Sequence, residues 1–209
     1  FKIAMRDLSI RGAGNLLGAQ QHGFIDSVGF DLYSQMLEEA VEERRTGVKK
    51  EDKQEIEVIM HIDAYIPGAY IPDSYQKIQM YKRIKAMERE EDYFEIIDEL
   101  QDRFGNIPVE TERLMRIARI KAWALEAGIT AIKEKREIIT ISLSEEGTAR
   151  VDGAKIVEES MQFARAVGFG MDGAKLNLTI DTKRCGASLP FDVLEKMVKI
   201  ISEAKKQVA

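Results

Sequence analysis

The 209-residue chain has one cysteine, two histidines and four prolines. A single thiol, Cys185, excludes an internal disulfide framework and points to a reducing, cytoplasmic setting. His22 and His61 lie far apart, and with no Cys-x-x-Cys or His-x-x-x-His pair no metal site is legible. Apolar runs last only a few residues, so no membrane span and no membrane partner are expected. The opening Phe1-Lys2-Ile3-Ala4-Met5 does not lead through a basic region into a long apolar one, as a secretory signal would. An excess of positive charge is also missing. Residues 1–50 hold seven Lys/Arg and seven Asp/Glu, and the remaining 24 basic and 29 acidic side chains leave the chain at −5. Affinity for a nucleic-acid backbone rests on a basic surface that displaces counterions, so neither part has the composition for binding DNA on its own.

What is present is a hydrophobic content of 44% beside 32% charged residues, the balance of a globular protein. The chain begins on Phe1 and enters an apolar helical pattern at once, which reads as a piece of a longer protein. Ile3, Ala4 and Leu8 share a helical face over residues 1–10, and glycines at 12, 14, 18, 23 and 29 make the next stretch loop-like. Phe30, Tyr33, Leu37 and Val41 then repeat at helical spacing until Gly47. The charged run "VKKEDKQ" reads as a linker, so the expected division is a helix-loop-helix segment over 1–47, a linker over 48–54 and a domain over 55–209.

In that domain Ile56, Val58, Met60 and Ile62 alternate, as on a strand. "YIPGAYIPD" is loop, with Tyr65 and Tyr70 expected at the surface. Asp73, with Gln76 three residues on, caps a helix expected to reach Arg89. A second helix, 91–104, turns Phe94, Ile97, Leu100 and Phe104 inward and stops at Gly105. Pro108 opens a third, 109–126, burying Leu114, Ile117, Ala118 and Leu125 before Gly128. "ITAIKEKREIITISL" suggests two strands around a charged Lys133–Arg136 turn. A helix near 154–166, a strand alternating Leu176, Leu178 and Ile180, and a last helix from Pro190 complete the pattern. Strands mixed with helices in no βαβ rhythm indicate an α+β fold with a small sheet.

Chemistry-bearing patterns are few. "RGAGNLLGAQQHG" packs four glycines into thirteen residues, but its GxGxxxG spacing is one residue too long for a dinucleotide fingerprint and follows a helical pattern where a strand is needed. It also lacks the Gly-Lys-Ser/Thr of a P-loop. His61 alternates with the apolar strand face and should point to solvent. Cys185 follows Lys183 and Arg184, which would lower its thiolate pKa; the alternative is a loop cysteine without a role. Runs such as Glu38-Glu39 and Glu42-Glu43 read as a solvated helix face. Arg113, Arg116 and Arg119 make a basic stripe, either a solvated face or a docking face for an acidic partner.

"MRDLSIRGAGNLLGAQQHGFIDSVGFDLYSQMLEEAV" (5–41), "YIPDSYQKIQMYKRI" and "ELQDRFGNIPVETERLMRIARIKAWA" resemble the bacterial transcription-repair coupling factors. The first resembles the translocation motif that follows their second motor domain, and the others resemble their C-terminal domain. The resemblance implies an ATP-driven double-stranded DNA translocase, a helicase-superfamily ATP hydrolase that displaces stalled RNA polymerase and recruits nucleotide-excision repair. ATP and Mg would be bound by motor domains upstream of Phe1, leaving this part non-catalytic and without a cofactor of its own. Arg11, Gly12, Gly14 and Gly18 would then couple the motor to movement, with Gln20, Gln21 and His22 facing DNA. The domain over 55–209 would fold back on an N-terminal repair-recruiting module and mask it from the excision-repair damage sensor. Two other readings stand beside this one: a nucleotide- or ligand-binding domain using the Gly12–Gly18 loop, and a scaffold that only stabilises the motor.

Overall fold

The computed structural model describes residues 56–206; the readings for residues 1–55 lie outside the described residues. The architecture is α+β, as the mixed periodicities imply. The described chain divides into two compact units, residues 61–119 and residues 56–60 with 120–206.

The first unit is a loop and helices α1 (Ser74–Lys85), α2 (Glu90–Phe104) and the first part of α3 (Val109–Ala127). Asp73 caps α1, its Oδ1 accepting from the Gln76 N–H at 2.8 Å. The helix stops at Lys85, short of the expected Arg89. The Asp92 carboxylate accepts from both the Glu88 and Arg89 N–H groups at 3.0 Å, which draws those residues into the entry of α2. These backbone donors hold the Asp92 carboxyl below the usual range.

The loop before α1 is not a surface tyrosine display. Ala64, Ile66 and Ile71 are fully buried, and Tyr65 and Tyr70 are half-buried. Polar groups tie the loop down: the Tyr70 hydroxyl donates towards the Leu100 and Gly105 carbonyls at 3.0 and 3.1 Å, and the Tyr65 N–H donates to the Glu110 carbonyl. The Tyr81 hydroxyl accepts from the buried Ile66 N–H at 2.8 Å. Tyr81→Phe leaves that donor without its acceptor and should cost about 1–3 kcal/mol, read as a lower urea midpoint at unchanged slope.

The inward face of α2 is rotated from the expected one. Ile96 and Leu100 are buried, Ile97 and Phe104 are half-buried, and Phe94 is 54% exposed. Gly105, at φ 82°, ends the helix as expected. In α3 Leu114 and Ile117 are buried, Ala118 is half-buried, and Leu125 is exposed because Trp123, Ala124 and Ala127 take the inward positions there.

The second unit is built on a five-stranded sheet in the order β1-β2-β3-β5-β4, with strands β1 (Glu57–Ile59), β2 (Ile129–Lys135), β3 (Ile138–Leu143), β4 (Val167–Asp172) and β5 (Lys175–Asp181). The β1–β2 pair is parallel and the others are antiparallel. Alternate residues Ile139, Ile141, Leu178 and Ile180 form a buried face against Ile120, Trp123 and Ala127 of α3 and Ile156 of α5 (Gly153–Ser160). Val193, Leu194, Met197 and Ile201 of α6 (Pro190–Glu203) complete this core. The β2–β3 hairpin turns only at Arg136-Glu137, with Arg136 at φ 58°; Lys133 to Lys135 belong to the strand. The expected helix over 154–166 ends at Ser160 and passes through a single tight turn, Met161–Phe163. Two elements had no clear periodic signature: α4 (Glu145–Arg150), and β4, whose interleaved glycines blur the alternation.

Candidate functional site

Arg11, Gly12, Gly14, Gly18, Gln20, Gln21 and His22 lie outside the described residues. His61 is exposed, but in the loop after β1, which ends at Ile59 and not at Ile62 as the alternation suggests. No group of three or more His, Cys, Asp or Glu gathers at metal-binding distance among the described residues, and no described helix is long and apolar enough to cross a membrane.

Cys185 departs from its sequence reading. Its thiol donates to the Asp181 carbonyl at 3.4 Å and packs against the sheet core. Partial burial, reinforced by the Asp181 carboxylate, pushes the thiol pKa up. The neighbouring cations are turned to other partners: Arg184 pairs with Asp181 and Lys183 with Glu137, at 3.2 and 2.6 Å. Chain adjacency therefore does not create an activated thiolate here.

Arg113, Arg116 and Arg119 fall along α3 of the first unit, all half-buried. The Arg119 guanidinium lies 4.0 Å from the centre of the Tyr93 ring, a cation–π stack in which it braces α2. Three-residue spacing on a helix advances the direction by about 60° short of a full turn each time, so the arginines fan across the surface.

The strongly charged exposed face of the first unit is on α2 instead. This helix carries seven carboxylates and a single basic residue, Arg103. Glu91, Phe94, Glu95, Asp98 and Asp102 follow one another at helical spacing, and all are exposed. Glu99 is neutralised from two sides by Arg83 and Arg103, so Asp98 and Asp102 provide the negative charge of a shallow crevice that Gln101 also lines. The ring of Phe94 packs edge-on against Tyr93, at 5.4 Å between centroids. An exposed aromatic ringed by carboxylates suits a partial-apolar, basic contact. The signal was in the sequence, in the i, i+4 placement of Phe94 and Asp98, but assigning Phe94 to the inward face hid it.

The comparisons with known proteins agree with this architecture. Residues 60–154 match the TRCF domain model. The transcription-repair-coupling factor of Bacillus subtilis (strain 168) is 50% identical over 207 residues, 99% of this chain and 18% of the relative. That of Staphylococcus haemolyticus is 52% identical over 182 residues, covering 86% of this chain and 16% of the relative. The chain thus spans less than a fifth of the length of the curated relatives it matches. A crystal structure described as the C-terminal domain of transcription-repair coupling factor shares the fold with a TM-score of 0.60 at 24% identity, over 72% of this chain and 96% of that one. The chain therefore belongs with the transcription-repair coupling factors, and its residues 60–154 carry the match to their TRCF domain.

Proposed function

We propose that this chain is the C-terminal part of an ATP-dependent double-stranded DNA translocase that releases stalled RNA polymerase and recruits excision repair. One observation carries the reading: half of the aligned positions are identical to a coupling factor in a match that covers 99% of the chain, and so takes in the glycine-rich segment as well as the TRCF domain. ATP and its magnesium belong to motor domains outside this chain. Residues 1–47 transmit their closure to DNA, with Arg11 holding the motor end and Gln20, Gln21 and His22 contacting the duplex. Neutral donors there touch phosphates without the strong ionic grip that resists stepping.

The TRCF domain acts in this proposal as a releasable cover over the N-terminal repair-recruiting module. The exposed carboxylates and Phe94 of α2 support this use: a polar, charge-matched contact forms and parts more readily than an apolar one. The half-buried arginines of α3 offer less surface to such a contact, and Arg119 is stacked on Tyr93 of α2.

Deleting residues 55–209 from the full-length protein should raise affinity for the excision-repair damage sensor by roughly 5- to 150-fold, the usual span of an inhibitory coupling. The pair Asp98→Lys and Asp102→Lys should reproduce part of that gain while leaving the domain folded. Titration calorimetry or fluorescence anisotropy would read both, and unchanged affinity in the deletion would sink the masking role.

A further inference from the structure

Helix α4 of the second unit is held by very little of its own. It has six residues, and Gly147 is the buried one, so it places no apolar side chain in the core. An isolated helix shorter than about 12–15 residues is marginal in water, because so few bonds do not offset nucleation. The Ser144 hydroxyl caps the start of α4, accepting from the Gly147 N–H at 2.9 Å. Its end is closed by a residue 57 positions away along the chain. The last carbonyls of a helix have no partner within it, and here those of Ala149 and Arg150 both accept from Lys206. The Lys206 ammonium donates to the Ala149 oxygen at 2.8 Å, and the Lys206 N–H donates to the Arg150 oxygen at 2.9 Å. A cation at this end also opposes the partial negative charge of the helix terminus.

The residues that carry Lys206 leave α6 as a strap. Ala204 is fully buried, and its carbonyl accepts from the Asp152 N–H at 2.8 Å. Lys205 stands opposite buried Val151 in an antiparallel bridge and pairs with Glu126 at the end of α3. Both lysines are exposed, so the strap can be reached from solvent. On its other side α4 is bonded to the sheet: the Thr148 hydroxyl accepts from the Leu176 N–H of β5 at 2.9 Å and donates to the Ser144 carbonyl at 2.8 Å.

We infer that α4 and residues 204–206 form a latch: α4 is a conditional helix, present while Lys206 is docked and melted when the strap leaves, with the sheet and α6 still folded. Opening releases few buried apolar groups, the mark of a low-stability unit. Its reach is set by the bonds that α4 makes. The Leu176 N–H loses its acceptor, so the start of β5 loosens, whereas the β2–β3 and β3–β5 ladders keep their own pairing. The rival arrangement is a permanent α4, held by its cap at Ser144 and by the close seat of Gly147 on Gly128, with the strap merely resting on it.

Native-state hydrogen exchange of the 209-residue chain, read residue by residue by NMR, tests this. Lys206→Met keeps the length of the side chain and removes its ammonium. The expected result is exchange about tenfold faster or more at Thr148, Val151 and Leu176, the scale of one charge-assisted hydrogen bond. Lys206→Arg, which keeps a cationic donor, should retain most of the protection. Removing residues 205–209 takes away the backbone bond as well and should speed the same amides by about 100-fold or more. Amides of Ile141 and Leu178 in the sheet, and of Met197 in α6, should stay within about threefold of the parent in Lys206→Met. Lys206 is exposed, so this variant should fold like the parent by circular dichroism. Unchanged protection of Thr148 and Val151 in the truncated chain overturns the inference, because the cap and the glycine seat then suffice. Equal acceleration of the sheet amides in Lys206→Met overturns it too, since α4 would then open only with the whole unit.

Discussion

Gly128→Ala lowers the melting temperature of the chain by roughly 5–15 °C, the equivalent of about 2–4 kcal/mol for a protein of this size. Two independent terms combine. Gly128 lies at φ 72°, a left-handed backbone that costs a residue with a Cβ about 1–2 kcal/mol. An added Cβ would also stand 2.7 Å from the Gly147 Cα, a backbone atom that cannot rotate away. Gly147 mirrors the contact, since its own Cβ would meet the Gly128 oxygen at 2.6 Å. The two glycines therefore seat α4 directly on the junction between α3 and β2. The Gly128 carbonyl accepts there from the Ser144 N–H at 2.9 Å, and the Ser144 hydroxyl caps α4 through the Gly147 N–H. Gly173→Ala separates the terms: it has φ 59° but nothing within 4 Å, so only the conformational cost, about 1 kcal/mol, should appear. Calorimetry showing equal losses for the two variants would mean that the close approach at Gly128 relaxes freely.

Arg11→Ala in the full-length protein should leave ATP hydrolysis measurable while triplex displacement and polymerase release fall by about 100-fold or more. On the proposed coupling role the guanidinium would hold two acceptors by charge-assisted hydrogen bonds, and losing both at about 1.5–3 kcal/mol each would give a fall of that size. A guanidinium suits a coupling position because its planar fork holds several acceptors in one geometry, and this makes Arg11→Lys a poor substitute. Normal translocation by Arg11→Ala with intact ATPase would end the coupling proposal for this residue. Loss of ATPase together with translocation would place Arg11 in the hydrolysis step rather than in transmission. The prediction rests on the family resemblance of residues 5–41, and the TRCF domain can be sound whichever way it falls.

Local signals sufficed for much of the fold. Asp73 with Gln76, Pro108, Gly105 and Pro190 mark helix ends through chemistry confined to one turn, and each operates where the sequence places it. The alternation of Leu176, Leu178 and Ile180 likewise shows a strand with one buried face, because the pleat repeats every two residues whatever lies opposite. The α+β class and the family were legible for the same reason: both rest on contiguous residues.

Tertiary structure decided what depends on partners distant in the chain. Tyr65 and Tyr70 look like surface residues until the carbonyls of Glu110, Leu100 and Gly105 supply acceptors that let them sink. The helical period of α2 admits two inward faces, and packing chose Ile96 and Leu100, leaving Phe94 outside among carboxylates. Cys185 has cations beside it in sequence, but burial and Asp181 set its thiol, since electrostatics follows distance and solvent rather than chain order. The glycine pair 128 and 147 and the closure of α4 by Lys206 belong to this second class. Sequence writes local caps, periods and turns in neighbouring residues, whereas close approach, burial and bonds from distant residues exist only once the chain has folded.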